Sequence, residues 1–79
     1  MAETGGDGAL RAPMHGVLMA LFTEEGAPVR AGDTLAVVEA MKMQHELSAG
    51  ASGVVRRIGA KTGEQVRAGA VLIEIEGDG

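Results

Sequence analysis

The sequence predicts a small all-β domain made of two four-stranded antiparallel sheets packed face to face. Three observations predict it. Thirteen glycines cut 79 residues into short segments, the pattern of brief strands joined by tight turns. The second half of the chain copies the first at a constant offset of 37 residues. The last apolar stretch alternates, with Val71, Ile73 and Ile75 on one side and Glu74 and Glu76 on the other, as a half-buried strand does.

In chain order, residues 1–8 are Gly-rich and acidic. They lack the basic start and apolar centre of a signal peptide, and read as a disordered tail or linker before a domain spanning 9–77. Leu10 to Met14 is a short strand interrupted by Pro13, which cannot donate to a ladder and suits an edge. Gly16 to Phe22 is a full strand. Thr23 to Pro28 turns at Gly26, and Val29-Arg30 is a strand fragment. Ala31-Gly32-Asp33 turns again before a strand over Thr34 to Ala40. Met43 to Ala49, Gly53 to Ile58, a fragment at Gln65 to Arg67, and Ala70 to Glu76 complete the set.

The repeat pairs these strands two by two. Gly16-Val17 returns as Gly53-Val54, Gly26 as Gly63, and Val29-Arg30-Ala31-Gly32 as Val66-Arg67-Ala68-Gly69. Leu10, Ala12, Leu35 and Glu39 return as Leu47, Ala49, Leu72 and Glu76, making eleven identities in thirty ungapped pairs. Two copies are too few for a solenoid; they imply two sheets related by a pseudo-twofold axis, each burying one face on the other. Thr34, Ala36 and Val38, which match Val71, Ile73 and Ile75, are expected to face the core. Gly32 and Gly69 are expected at positive φ in tight turns.

Composition narrows the function. A chain this short buries only about 60% of its unfolded surface, and without cysteine it has neither disulfide nor thiolate metal site. Phe22 is the one aromatic residue, so aliphatic side chains are expected to form the core, with methionine filling gaps. A net charge of −4 opposes a nucleic-acid surface. No apolar run nears the roughly 20 residues that span a bilayer. A monomeric domain in the cytoplasm of a bacterium is expected, or in the mitochondrial matrix of a eukaryote. His15 and His45, without a clustered third ligand, fall short of a zinc site.

The chemistry centres on Glu39-Ala40-Met41-Lys42-Met43. Its composition favours helix, and Lys42 and Glu46 could pair at i, i+4. The nine residues from Glu39 to Leu47 are too few to hold a helix without a packed face, and the repeat assigns Met43 to Ala49 to a strand. Lys42 is thus expected at a hairpin tip. Its match in the second copy is Gly79, the last residue of the sequence, so the axis sets the tip opposite the termini. Most lysines at loop tips are merely solvated. Here Met41 and Met43 flank the lysine, and no Gly, Asn or Asp eases the turn. Flexible, polarisable methionines suit contact with more than one partner surface.

Glu39-Ala40-Met41-Lys42-Met43 resembles the biotin-attachment motif of biotin-dependent carboxylases. Ala12-Pro13-Met14-x-Gly16-Val17 matches a second family marker, and Gly26-x-x-Val29-x-x-Gly32 followed by Leu35 a third. The resemblance covers Leu10 to Glu76. It implies a biotinyl domain, a flattened barrel of two four-stranded sheets. Lys42 is then the covalent attachment point of biotin, and Met41, Met43, Glu39 and Ala40 complete the attachment motif. It further implies three partners: a biotin protein ligase, a biotin carboxylase site and a carboxyltransferase site. The ligase must deprotonate the amine it acylates, since a lysine side chain of ordinary pKa, about 10.4, is protonated at pH 7. The domain is then a carrier and not itself a catalyst.

Met43-Gln44-His45 resembles the Met-Glu-His of acyl-CoA carboxylase α chains of the propionyl or methylcrotonyl type. The short link from Phe22 to Val29 lacks the protruding insertion of many separate carrier subunits. The resemblance therefore points to the C-terminal domain of an acyl-CoA carboxylase α subunit. His15, Gln44 and the proline-free Ala49-Gly50-Ala51-Ser52-Gly53 depart from the common pattern, and none touches the Met-Lys-Met triplet. Two alternatives are a lipoyl domain, whose lysine usually lies between Asp and Ala, and an unmodified scaffolding module of the same shape.

Overall fold

A computed structural model describes residues 8–77 of the chain; residues 1–7 of the expected tail lie outside them. Eight strands follow one another: β1 (Ala9–Arg11), β2 (Gly16–Leu21), β3 (Pro28–Val29), β4 (Thr34–Ala40), β5 (Met43–Ser48), β6 (Gly53–Ile58), β7 (Gln65–Val66) and β8 (Val71–Gly77). They form two antiparallel four-stranded sheets, ordered β5-β4-β2-β7 and β1-β8-β6-β3. The first strand stops at Arg11 rather than Met14, and the first fragment begins at Pro28 rather than Val29. Pro28 is tolerated because β3 is an edge strand.

The two copies are interlocked. Each short strand of one copy pairs with a long strand of the other, β3 with β6 and β7 with β2. The loop hydrogen bonds repeat this exchange at offset 37. Gly26 N–H donates to the Val55 carbonyl and Gly63 N–H to that of Leu18. Gly32 N–H donates to Ala49 O and Gly69 N–H to Ala12 O. Gly32 and Gly69 do take positive φ, 94° and 85°.

Strict alternation does not survive in the long strands. Four residues are inserted into the ladders without a partner opposite: Met19 in β2, Leu35 in β4, Arg56 in β6 and Leu72 in β8. These bulges also obey the 37-residue offset, so they belong to the repeated unit. A bulge turns two successive side chains to one face. Leu35 and Ala36 are therefore both buried, as are Leu72 and Ile73. Thr34 and Val71, expected inside, are only half-buried. The Thr34 hydroxyl lies 3.4 Å from Glu46 Oε1.

The core is wholly aliphatic. Leu10, Leu18, Leu47, Leu72, Ile73, Val38 and Val55 are its largest fully buried side chains. Each contributes about 1.5–3 kcal/mol by leaving water. No methionine joins this core, contrary to the expectation that methionine fills its gaps; Met19, Met41 and Met43 are exposed. The bulged residues Leu35 and Leu72 are both buried in it.

Close backbone approach clamps the two copies at matching points. A Cβ on Gly16 would overlap the Glu39 carbonyl and lie 2.8 Å from Val38 Cγ1. A Cβ on Gly53 would overlap the carbonyl of Glu76 and lie 3.0 Å from the Gly77 Cα. Gly16→Ala and Gly53→Ala are each expected to destabilise by about 1–3 kcal/mol, as overpacking does. Urea unfolding checks this: midpoints should fall in both variants, whereas wild-type midpoints would show that the strands separate freely there.

Candidate functional site at the β4–β5 hairpin tip

β4 and β5 pair along most of their length, ending at Ala40 opposite Met43. Only Met41 and Lys42 remain to reverse the chain. Both take positive φ, 52° and 64°, the combination of a type I′ turn, whose twist matches that of the flanking strands. Such turns ordinarily use Asn-Gly. A bulky L-residue in the left-handed region costs about 1–2 kcal/mol. The tip is therefore a strained conformation imposed by the ladder beneath it.

The strain puts the lysine in open solvent. Lys42 is exposed, Met41 is 86% exposed and Met43 63%. Glu39 and Gln44, opposite each other across the hairpin, are exposed as well. Ala40 alone among the motif residues is buried, at 5% exposure. It packs under the turn, where a Cβ on Gly16 would come within 3.1 Å of its own Cβ. A small residue at 40 and none at 16 let β2 support the tip closely. The tip end is opposite Gly8 and Gly77, the ends of the described residues: β8 starts beside the tip-end β2–β7 pairing and runs away from it to Gly77, and Gly8 pairs near Ile75.

The histidines have separate places. His15 Nδ1 accepts the Ala68 N–H at 3.4 Å, and its counterpart Ser52 accepts the Ala31 N–H through Oγ at 3.1 Å. The repeat thus explains His15 as the pin of the β7–β8 turn. Its offset from Ser52 was visible in the sequence, but the hydrogen bond was not. His45 is half-buried, and its Nε2 has no hydrogen-bond partner among the described residues. No group of three potential metal ligands occurs among the described residues.

The hairpin thus presents an exposed lysine between two exposed methionines. The family model described as "Biotin-requiring enzyme" matches residues 8–75. The chain belongs to that biotin-requiring family. It is 40% identical over 67 residues to the mitochondrial propionyl-CoA carboxylase alpha chain of Homo sapiens, covering 85% of this chain and 9% of that one. Among solved structures it is similar to a single-chain, multi-domain long-chain acyl-CoA carboxylase at 40% identity and a TM-score of 0.77, over 82% of this chain and 6% of the other. It is also similar to the lipoyl domain of the 2-oxoglutarate dehydrogenase complex of Azotobacter vinelandii, at 25% identity and a TM-score of 0.76, over 87% of this chain and 96% of that domain. The chain thus spans about a tenth or less of the carboxylases it matches. The biotinyl and lipoyl fold is shared, and the biotin-requiring family is this chain's own.

The left-handed turn carries a stability prediction. Met41→Asn places a residue that accepts positive φ in the turn, and should raise stability by about 0.5–1 kcal/mol, of the order seen when backbone strain is relieved. Thermal unfolding checks it: a rise of several degrees is expected, and an unchanged or lower midpoint would show that Met41 is not strained.

Proposed function

We propose that Lys42 carries biotin in amide linkage, and that the domain moves a carboxyl group between a biotin carboxylase site and a carboxyltransferase site of an acyl-CoA carboxylase. The observation that carries this reading is the isolated, solvent-facing Lys42 amine on a rigid two-residue turn between Met41 and Met43. Membership of the biotin-requiring family and similarity to a propionyl-CoA carboxylase alpha chain support it. Bound biotin supplies a ureido nitrogen that accepts and releases the carboxyl group. The residues of this chain do the rest by position. The β4–β5 ladder fixes the turn, so the lysine side chain is the first freely rotating segment. Met41 and Met43 offer apolar contacts to successive partners, among them the biotin protein ligase that acylates the amine. Glu39 sets a carboxylate on the same hairpin, on the β2 side.

On this reading the domain carries and its partner sites catalyse. The parent enzyme is an acyl-CoA carboxylase α chain of the propionyl or methylcrotonyl type, acting in the bacterial cytoplasm or the mitochondrial matrix. Among the described residues no helix is long and apolar enough to cross a membrane. The lipoyl alternative shares the fold, but the methionine flanks and the biotin-requiring family match favour biotin.

Two variants test the reading. Lys42→Arg, incubated with biotin, ATP and a biotin protein ligase, should gain no biotinyl mass while the wild-type chain gains one group. Its melting temperature should match wild type, because the exposed side chain packs on nothing. A biotinylated Lys42→Arg chain would move the attachment point elsewhere. Met41→Leu combined with Met43→Leu should fold normally and slow carboxyl transfer in the reconstituted carboxylase; unaltered transfer would remove the methionines from partner contact.

A further inference from the structure

Beside the tip, β2 and β7 enclose a shallow groove lined by His15, Gly16, Val17, Gln65, Val66 and Arg67. Its place relative to Lys42 follows from register. Val17 pairs with Gln65 on one side and Glu39 on the other, and cross-strand partners share a face. His15 and Arg67, which directly flank the two strands, are exposed and line the same groove. Lys42 follows Glu39 by three residues. Strand spacings of about 4.8 Å and a rise of about 3.4 Å per residue put the groove roughly 12 Å from the lysine. A biotinylated lysine has eleven single bonds between its Cα and the ring. At about 1.5 Å each, in zigzag, they extend to roughly 14 Å.

The lining matches a cyclic urea joined to an apolar ring. Arg67 and Gln65 bring N–H donors. His15 Nδ1 accepts from Ala68, so the neutral imidazole carries its proton on Nε2 and is a further donor. These groups suit the urea carbonyl. Glu39, across Val17 from Gln65 and just outside the lining, is the neighbouring carboxylate that would accept the urea N–H. Val17, half-buried between them, offers an apolar floor. The lining itself contains no carboxylate. We propose that this β2–β7 groove is a docking site on the carrier itself for the ureido ring of biotin. The proposal rests on Lys42 being the attachment point.

A short tether holds its end group at an effective concentration in the millimolar range. A groove of only millimolar affinity is then occupied for a substantial part of the time, and releases the ring readily to a partner site. The domain switches between a docked arm, which keeps the ring against its own sheet, and a free arm that visits enzymes.

The test compares the ¹⁵N–¹H spectra of the chain before and after enzymatic biotinylation. Docking shifts the amides of Gly16, Val17 and Gln65 to Ala68 as well as those of Ala40 to Gln44. Two variants separate docking from structure. Arg67→Ala removes one donor. His15→Ser removes the ring donor but leaves a hydroxyl to accept from Ala68, as Ser52 does for Ala31. In each, the remote shifts on biotinylation should be lost or much reduced, while slow exchange of the Ala68 amide in His15→Ser shows the turn still pinned. Biotinylation at Lys42 with shifts confined to Ala40–Gln44, or with remote shifts undiminished in both variants, overturns the docking site alone. No mass gain at Lys42 overturns the attachment reading and the docking site with it.

Discussion

The β4–β5 ladder is the interaction on which the rest of the molecule depends. It forces Met41 and Lys42 into the left-handed region at a cost of about 1–2 kcal/mol each. That cost is offset below the turn. Six residue pairs hold β4 to β5, and their inward side chains include the fully buried Ala36, Val38 and Leu47. One buried leucine is worth about as much as one strained turn residue costs. The tip therefore stays in one conformation although neither of its residues prefers it. A glycine-containing turn would have formed more easily and held the lysine less firmly.

The second constraint is the exchange of short strands between copies. β3 belongs to the first copy and completes the sheet of the second, and β7 does the reverse. Neither copy can bury its face alone, which suits a chain too short for a large core. The arrangement makes most contacts long-range in sequence. It also explains why the repeat is strongest at Val29-Arg30-Ala31-Gly32 and its echo. Those residues leave one sheet, turn at a positive-φ glycine, and enter the other.

Much of this was legible in the sequence. The bounds of Thr34–Ala40 and Gly53–Ile58 follow from the glycines and the repeat, and the structure keeps them unchanged. Lys42 at a hairpin tip follows from the same repeat, once Met43 onward is read as a strand despite its helical composition. The bulges were not legible. One inserted residue in each long strand leaves the composition unchanged, and alternation alone cannot say which of Thr34 and Leu35 turns inward. The register decides, and it is set by pairing across strands that are far apart in sequence. For the same reason His15 read as a departure from a family pattern. Only the fold sets it beside Ala68 and reveals it as the partner of Ser52.

The copies differ in the character of their outer faces. At matching outward positions the first copy has Met19, Ala20 and Val37, and the second has Arg56, Arg57 and Glu74. Arg57 and Glu74 face each other at 3.9 Å with exposed side chains, a pair worth little to stability. The second sheet is thus an ordinary charged surface. The first keeps an apolar outer face from Val17 across to Val37, bordered by Glu39 and Glu46, and carries the lysine turn at its end. Both sheets need the same inner face to close the core, so selection for folding cannot distinguish them. The difference is confined to outer faces and to the tip, where only contact with another molecule or with the lysine's own modification would act. The asymmetry therefore sets the apolar outer face on the sheet of β5, β4, β2 and β7, beside the lysine turn, and the charged face on the opposite sheet.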